Sequence, residues 1–190
     1  TYSISIRQVT ADLSNLTVSA GPLTPAFQSS TLGYSLTVAN ETTSTTVTAT
    51  LGDPLSTLTV NGSTASSGVA TSPINLNVGN NTIQVVTTSQ DGTLTRTYTV
   101  GIFRQGNPRL SSLALGGATF LPAFDPGTTS YLANVDRTVN SVTITPTAVQ
   151  GNASITVNSV PLGSGVTSGP VPLVQGLNVI TIAVSAPEGP

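Results

Sequence analysis

Two stretches of this chain superpose without a gap. Leu13-Ser-Asn-Leu16 recurs as Leu110-Ser-Ser-Leu113, an offset of 97 residues, and the same offset carries Pro25-Ala-Phe27 onto Pro122-Ala-Phe124 and Tyr34 onto Tyr131. It also carries Val60-Asn61 onto Val157-Asn158 and Gly79-x-Asn81-x-Ile83 onto Gly176-x-Asn178-x-Ile180, so the match runs unbroken from Leu13 to Thr93. A period this long far exceeds the roughly 20–50 residues of a solenoid turn or propeller blade and equals a whole β-sandwich of about 100 residues. Each copy is therefore expected to bury a core of its own, with domains at 12–105 and 109–190.

Composition decides between strand and helix. Ser and Thr together make up 56 of the 190 residues, and Thr supplies the polar half of most alternating runs, where its branched Cβ suits a pleated surface. In the first copy such runs occupy Thr31–Ala39, Thr45–Leu51, Thr57–Val60, Ile74–Val78, Thr82–Thr88 and Leu94–Phe103, separated by turns rich in Gly, Pro and Asn. That period of two predicts strands throughout, and no segment carries a helical repeat of useful length. Asn61-Gly62 and Asp91-Gly92 predict tight hairpins, because both residue types tolerate positive φ. Gly79 and Asn81 predict a further turn in which the Asn side chain caps backbone amides. Phe27, Phe124, Tyr34 and Tyr131 recur at equivalent positions and are expected in the sandwich interiors.

Together, Leu-Ser-x-Leu, Leu23-x-Pro-x-Phe27, Tyr34, Val60-Asn-Gly62, Gly79-x-Asn-x-Ile83, Asp91-Gly92 and Thr97-Tyr-x-Val100 resemble the cadherin-like β-sandwich domain of bacterial surface and secreted proteins. The resemblance covers nearly the whole chain. It implies an immunoglobulin-like fold in tandem, an extracellular or cell-surface setting, and a spacer or adhesion role rather than one activity. The second copy departs at Asn158-Ser159, which replaces Asn-Gly, and at Pro187-Glu-Gly189, which replaces Gln90-Asp-Gly92.

The two ends break the symmetry. Thr1–Gln8 closely repeats Thr97–Gln105, the last strand of the first copy, in one residue fewer, while the second copy stops at Pro190, the equivalent of Thr93. Tyr2, Ile4 and Ile6 fall on one face of such a strand, as Tyr98, Val100 and Ile102 do. The step from Arg7 to Leu13 matches that from Arg104 to Leu110, so residues 1–8 are wired as the closing strand of an upstream sandwich. The expectation is a structural filament or pilus-like subunit. Its copies would polymerise head to tail, the N-terminal strand of one completing the second sandwich of the next through a heterologous, propagating interface. The alternatives are a spacer segment of a large multi-repeat surface adhesin and a carbohydrate-binding module. With neither Lys nor Cys in the chain, no Lys–Asn isopeptide bond or disulfide can lock such a joint, which leaves non-covalent strand exchange.

Chemistry has few tools here. Cys, His, Met, Trp and Lys are absent and 6% of residues are charged, so Ser has no base to activate it and thiol chemistry is excluded. The acids Asp12, Glu41, Asp53, Asp91, Asp125, Asp136 and Glu188 stand mostly in turn-like contexts. They form neither a paired hydrolytic site nor a clustered calcium site, and neither an enzyme nor a cofactor is expected. Five scattered Arg and a net charge of −2 offer no phosphate-binding patch, so nucleic acid is not an expected partner. No apolar run approaches the roughly 20 residues of a membrane span. Surface glycans remain conceivable partners, although the tyrosines sit at repeat-equivalent, core-like positions. Sequons at Asn15, Asn40, Asn61, Asn80 and Asn152 could carry glycans in a glycosylating host.

Overall fold

The computed structural model describes residues 1–4 and 9–186, and the described residues contain strands and turns without a helix. The chain divides after Gln105 into two compact units.

The first unit contains β1 (Leu13–Val18), β2 (Gly33–Val38), β3 (Ser44–Thr45), β4 (Val47–Leu51), β5 (Thr57–Val60), β6 (Ser63–Thr64), β7 (Ile74–Asn75), β8 (Gly79–Thr88) and β9 (Thr95–Arg104). One sheet runs β2-β9-β8-β5-β6, and the pairs β1–β4 and β3–β7 supply the other side. All ladders are antiparallel except β2–β9, which is parallel and in register from Gly33↔Thr99 to Val38↔Arg104. Alternation along β8 and β9 sends Ile83, Val85, Tyr98, Val100 and Ile102 inward, where they meet Leu13, Leu16 and Val47 in one cluster of 15 buried residues. The expected hairpin forms at Asn61-Gly62, both with positive φ (49° and 79°), and sets Val60 opposite Ser63.

Strand β1 is the element that alternation does not reveal. Its buried residues are Leu13, Leu16 and Val18, a spacing of three and then two, because the ladder with β4 shifts register between Leu13 and Asn15. A bulge places two residues against one partner residue and so hides the period from the sequence. The same shift recurs between Leu110 and Ser112 in the second unit.

The second unit contains β10 (Leu110–Gly116), β11 (Ser141–Ala148), β12 (Ser154–Val157), β13 (Val160–Leu162), β14 (Val171–Pro172) and β15 (Ile182–Ser185). These form two three-stranded sheets, β10-β11-β14 and β13-β12-β15. Its hairpin between β12 and β13 keeps the geometry of the first copy despite losing the glycine, since Asn158 and Ser159 take positive φ (47° and 68°). The core is smaller, with three buried residues, Val142, Ile144 and Val157, at its centre. Thr1–Ile4 form no strand, and Tyr2 and Ile4 lie fully exposed. Ile6 falls outside the described residues.

Candidate strand-acceptor site

The way β9 is held in the first unit defines what the second unit offers at the same place. β9 lies between β2 and β8, and its three inward residues Tyr98, Val100 and Ile102 are essentially inaccessible to solvent. Tyr98 is anchored by its hydroxyl, which accepts a hydrogen bond from the Leu13 amide at 3.0 Å and donates one to the Ser29 carbonyl at 3.0 Å. Its ring centroid lies 6.4 Å from that of Phe27. At the other end of the strand the Asn81 amide donates to the Ile102 carbonyl at 3.3 Å. There the Arg104 guanidinium also donates to the carbonyls of Asn40 and Leu76. A buried hydroxyl or amide without a partner would cost about 1–3 kcal/mol, so these contacts both hold the strand and fix its position along the slot.

Among the described residues of the second unit no strand stands at this place, yet the walls are built alike. Tyr131 repeats the contacts of Tyr34, its hydroxyl donating to the carbonyls of Asp125 and Thr128 as Tyr34 donates to those of Gln28 and Thr31. Phe124 stacks on Tyr131 at 5.9 Å, the same separation as Phe27 on Tyr34. Asn178 clamps its turn as Asn81 does, accepting from the Val174 amide and donating to the carbonyls of Val174 and Gly176.

What changes is the burial and order of the residues that would face the strand. Ile180 and Ile182, equivalent to the buried Ile83 and Val85, are only half-buried, and Tyr131 is half-buried where Tyr34 is buried. Residues 130–135, the counterpart of β2, form a single bridge between Leu121 and Leu132 instead of a strand. Gly176–Thr181, the counterpart of the first half of β8, form no strand either.

A second difference is one that reading the sequence for motifs overlooked. Leu121, Leu132, Leu177 and Val179 are exposed by 60%, 54%, 82% and 77%, at positions where the first copy carries Thr24, Ser35, Asn80 and Thr82. The signal was available in the gap-free repeat alignment, as polar-to-apolar exchanges clustered around the place that β9 takes in the first unit.

Of the other residues singled out, Asn15, Asn61, Asn80 and Asn152 are exposed. Asn40 is half-buried, with its amide donating to the Gln105 carbonyl. Asp12 forms an ion pair with Arg96 at 2.7 Å and accepts from the Thr10 hydroxyl. Asp91 and Asp136 each cap their own turn. The Ser89 hydroxyl, then the Thr93 amide and hydroxyl, hold the Asp91 carboxyl below its ordinary value, and the Thr138 amide and hydroxyl do the same for Asp136. No group of three or more acidic side chains close enough to share a metal ion occurs among the described residues.

The model of the cadherin-like beta sandwich domain family matches residues 13–105 and again 110–190. The chain belongs to this family, as two tandem copies of its sandwich, which places it among modules of a structural or surface role. It is similar to a protein of Evansella cellulosilytica described as "Putative membrane protein", with 39% identity over 103 residues. That alignment covers 54% of this chain and 15% of the relative. No solved structure matches the chain. No helix among the described residues is long and apolar enough to cross a membrane.

Proposed function

We propose that this chain is an extracellular, non-enzymatic structural protein whose copies join head to tail. The N-terminal strand bearing Tyr2, Ile4 and Ile6 would enter the second sandwich of a neighbouring copy. One observation carries this reading: the second unit presents, lined by Tyr131, Ile180 and Ile182, the slot that β9 fills in the first unit. At the same time Tyr2 and Ile4, which reproduce the inward residues Tyr98 and Val100, stand exposed without a sheet to pack on. Open strand edges and half-buried aliphatic residues favour uptake of a strand, which brings backbone hydrogen bonds and core side chains at once.

A second reading is a spacer within a longer surface protein, the closing strand then coming from the same polypeptide. The tandem family match and the small share of the longer relative that is aligned favour it. Glycan binding has less support, because Tyr34 and Tyr98 are buried in the first unit and present no ring face.

Size-exclusion chromatography with negative-stain microscopy over a concentration series tests the first reading. Head-to-tail joining gives oligomers that lengthen with concentration and disappear on deletion of residues 1–8. A strictly monomeric chain, or filaments that survive the deletion, would exclude it.

A further inference from the structure

Alternation alone leaves the joint ambiguous. Shifting a strand by one residue turns Tyr2, Ile4 and Ile6 outward and is excluded by the apolar slot. Shifting it by two keeps an apolar residue facing inward at most positions, so hydrophobicity does not discriminate between these registers. We infer that the second sandwich selects one register through a tyrosine socket. In it the Tyr2 hydroxyl accepts from the Leu110 amide and donates to the Pro126 carbonyl, beside the Phe124 ring. This inference rests on the strand-donation reading and adds to it where along the slot the strand stops, and why.

The socket follows from the repeat. Leu110, Phe124 and Pro126 are the counterparts of Leu13, Phe27 and Ser29, the three residues that hold Tyr98. The surrounding frame is preserved in detail. The turn that offers the Ser29 carbonyl is closed by Thr31 donating to Gln28, and its counterpart by Thr128 donating to Asp125, both at 3.0 Å. The β10–β11 ladder keeps the register shift that in β1 accompanies the Leu13 amide turning to the tyrosine hydroxyl. Phe124 is held against Tyr131 with nearly the same ring geometry as Phe27 against Tyr34.

A strand displaced by two residues would set Ile4 over the socket, and an aliphatic side chain satisfies neither backbone group. With Tyr2 seated in the place of Tyr98 opposite Ile182, Ile4 takes the place of Val100 opposite Ile180, and Ile6 that of Ile102 opposite Asn178. Ser3 comes opposite Thr181, the counterpart of the Thr99–Gln84 pair. At the far end Asn178 sits where Asn81 donates to the Ile102 carbonyl, ready to receive the carbonyl of Ile6.

The chain has no cysteine of its own, so engineered pairs report register cleanly in the full-length protein. Directly opposed residues of an antiparallel pair have Cβ atoms about 4.5–5.5 Å apart, within disulfide reach, whereas diagonal neighbours lie about 7–8 Å apart. Ser3→Cys with Thr181→Cys is expected to give a ladder of covalent oligomers on a non-reducing gel under mild oxidation, and Ser3→Cys with Ala183→Cys, the pair that the register with Ile4 over the socket would oppose, is expected to give little.

In the cysteine-free background, Tyr2→Phe is expected to raise the concentration needed for oligomers about tenfold, the equivalent of one unsatisfied buried pair. Efficient cross-linking through Ala183, or no effect of Tyr2→Phe on a chain that still oligomerises, overturns the socket and leaves strand donation standing. Monomer alone in every pairing and in the parent chain overturns both.

Discussion

The two units carry the same motifs on the same spacing, yet one has 15 residues in its central buried cluster and the other three. The difference is not spread evenly. Where the second unit packs sheet on sheet, Ile144, Ile155 and Val157 are as buried as their counterparts Val47, Leu58 and Val60. Burial falls at Tyr131, Val135, Ile180 and Ile182, where β9 stands in the first unit, and also at Leu110, Leu113, Leu115 and Leu173, which are half-buried where Leu13, Leu16, Val18 and Leu76 are buried. A single strand therefore organises more than its own three inward side chains. It gives β2 a partner, lengthens β8 to ten residues and closes one flank of the core. In its absence the local turns persist, because Asn178, Tyr131 and the Asn158-Ser159 hairpin are satisfied within their own loops. The counterpart of β2 after Tyr131 and the first half of the counterpart of β8 after Asn178 do not, whereas β12 and β13 around the hairpin do.

Paired substitutions test this contrast, and the largest effect is expected at its centre. Ile83→Ala removes a buried side chain from a filled core and is expected to destabilise the first unit by about 2–5 kcal/mol. The equivalent Ile180→Ala acts on a half-buried residue and is expected to cost about 1 kcal/mol or less at concentrations where the chain is dilute. Hydrogen exchange followed separately in each unit reads both values, and equal costs would mean that the second core is filled to the same extent. Tyr98→Phe keeps the ring and deletes the hydroxyl, leaving the Leu13 amide without its partner. A loss of about 1–3 kcal/mol is expected in the first unit, with faster exchange at Leu13 and none of that change in the second unit.

The smallest effect concerns acid. Asp91 and Asp136 have carboxyls held below their ordinary value of 3.8 in the folded chain, by the Ser89 hydroxyl with Thr93 and by Thr138 respectively. A group whose folded value is depressed stabilises the fold above its unfolded value and loses that contribution as pH falls through the folded one. Protection of the Thr93 and Thr138 amides from exchange, taken relative to the intrinsic rate at each pH, is therefore expected to fall modestly below about pH 4, and Asp91→Asn or Asp136→Asn to flatten that response in its own unit alone.

Much of the fold was legible because the signals are local. Alternating Thr and aliphatic residues mark β2, β4, β5, β8 and β9, and Asn61-Gly62 and Gly79-x-Asn81 mark turns whose backbone geometry those residues alone favour. β1 escaped because its bulge spoils the period, and the anchoring role of Tyr98 escaped because it depends on Leu13 and Ser29, 85 and 69 residues away. Tyr131 was expected in a core and is half-buried, since among the described residues of the second unit no strand pairs beside it as β9 pairs beside Tyr34. The exposed Leu177 and Val179 are similar: their identities stand in the sequence, but only the sheet order shows that they flank the same slot as Leu132.

The two-sided pairing of β9 also bears on how the fold would respond to tension. β9 is bonded along six residues to β2 and along ten to β8, so a pull entering through Gln105 runs parallel to both ladders. It loads many hydrogen bonds at once, in shear, and they must give way together. β15 is bonded along four residues on one flank only, so the same pull would meet a much shorter row. A chain of such sandwiches would be limited by its weakest ladder, and seating a strand beside Ile180 and Ile182 would turn the yielding element of the second sandwich into one as resistant as the first.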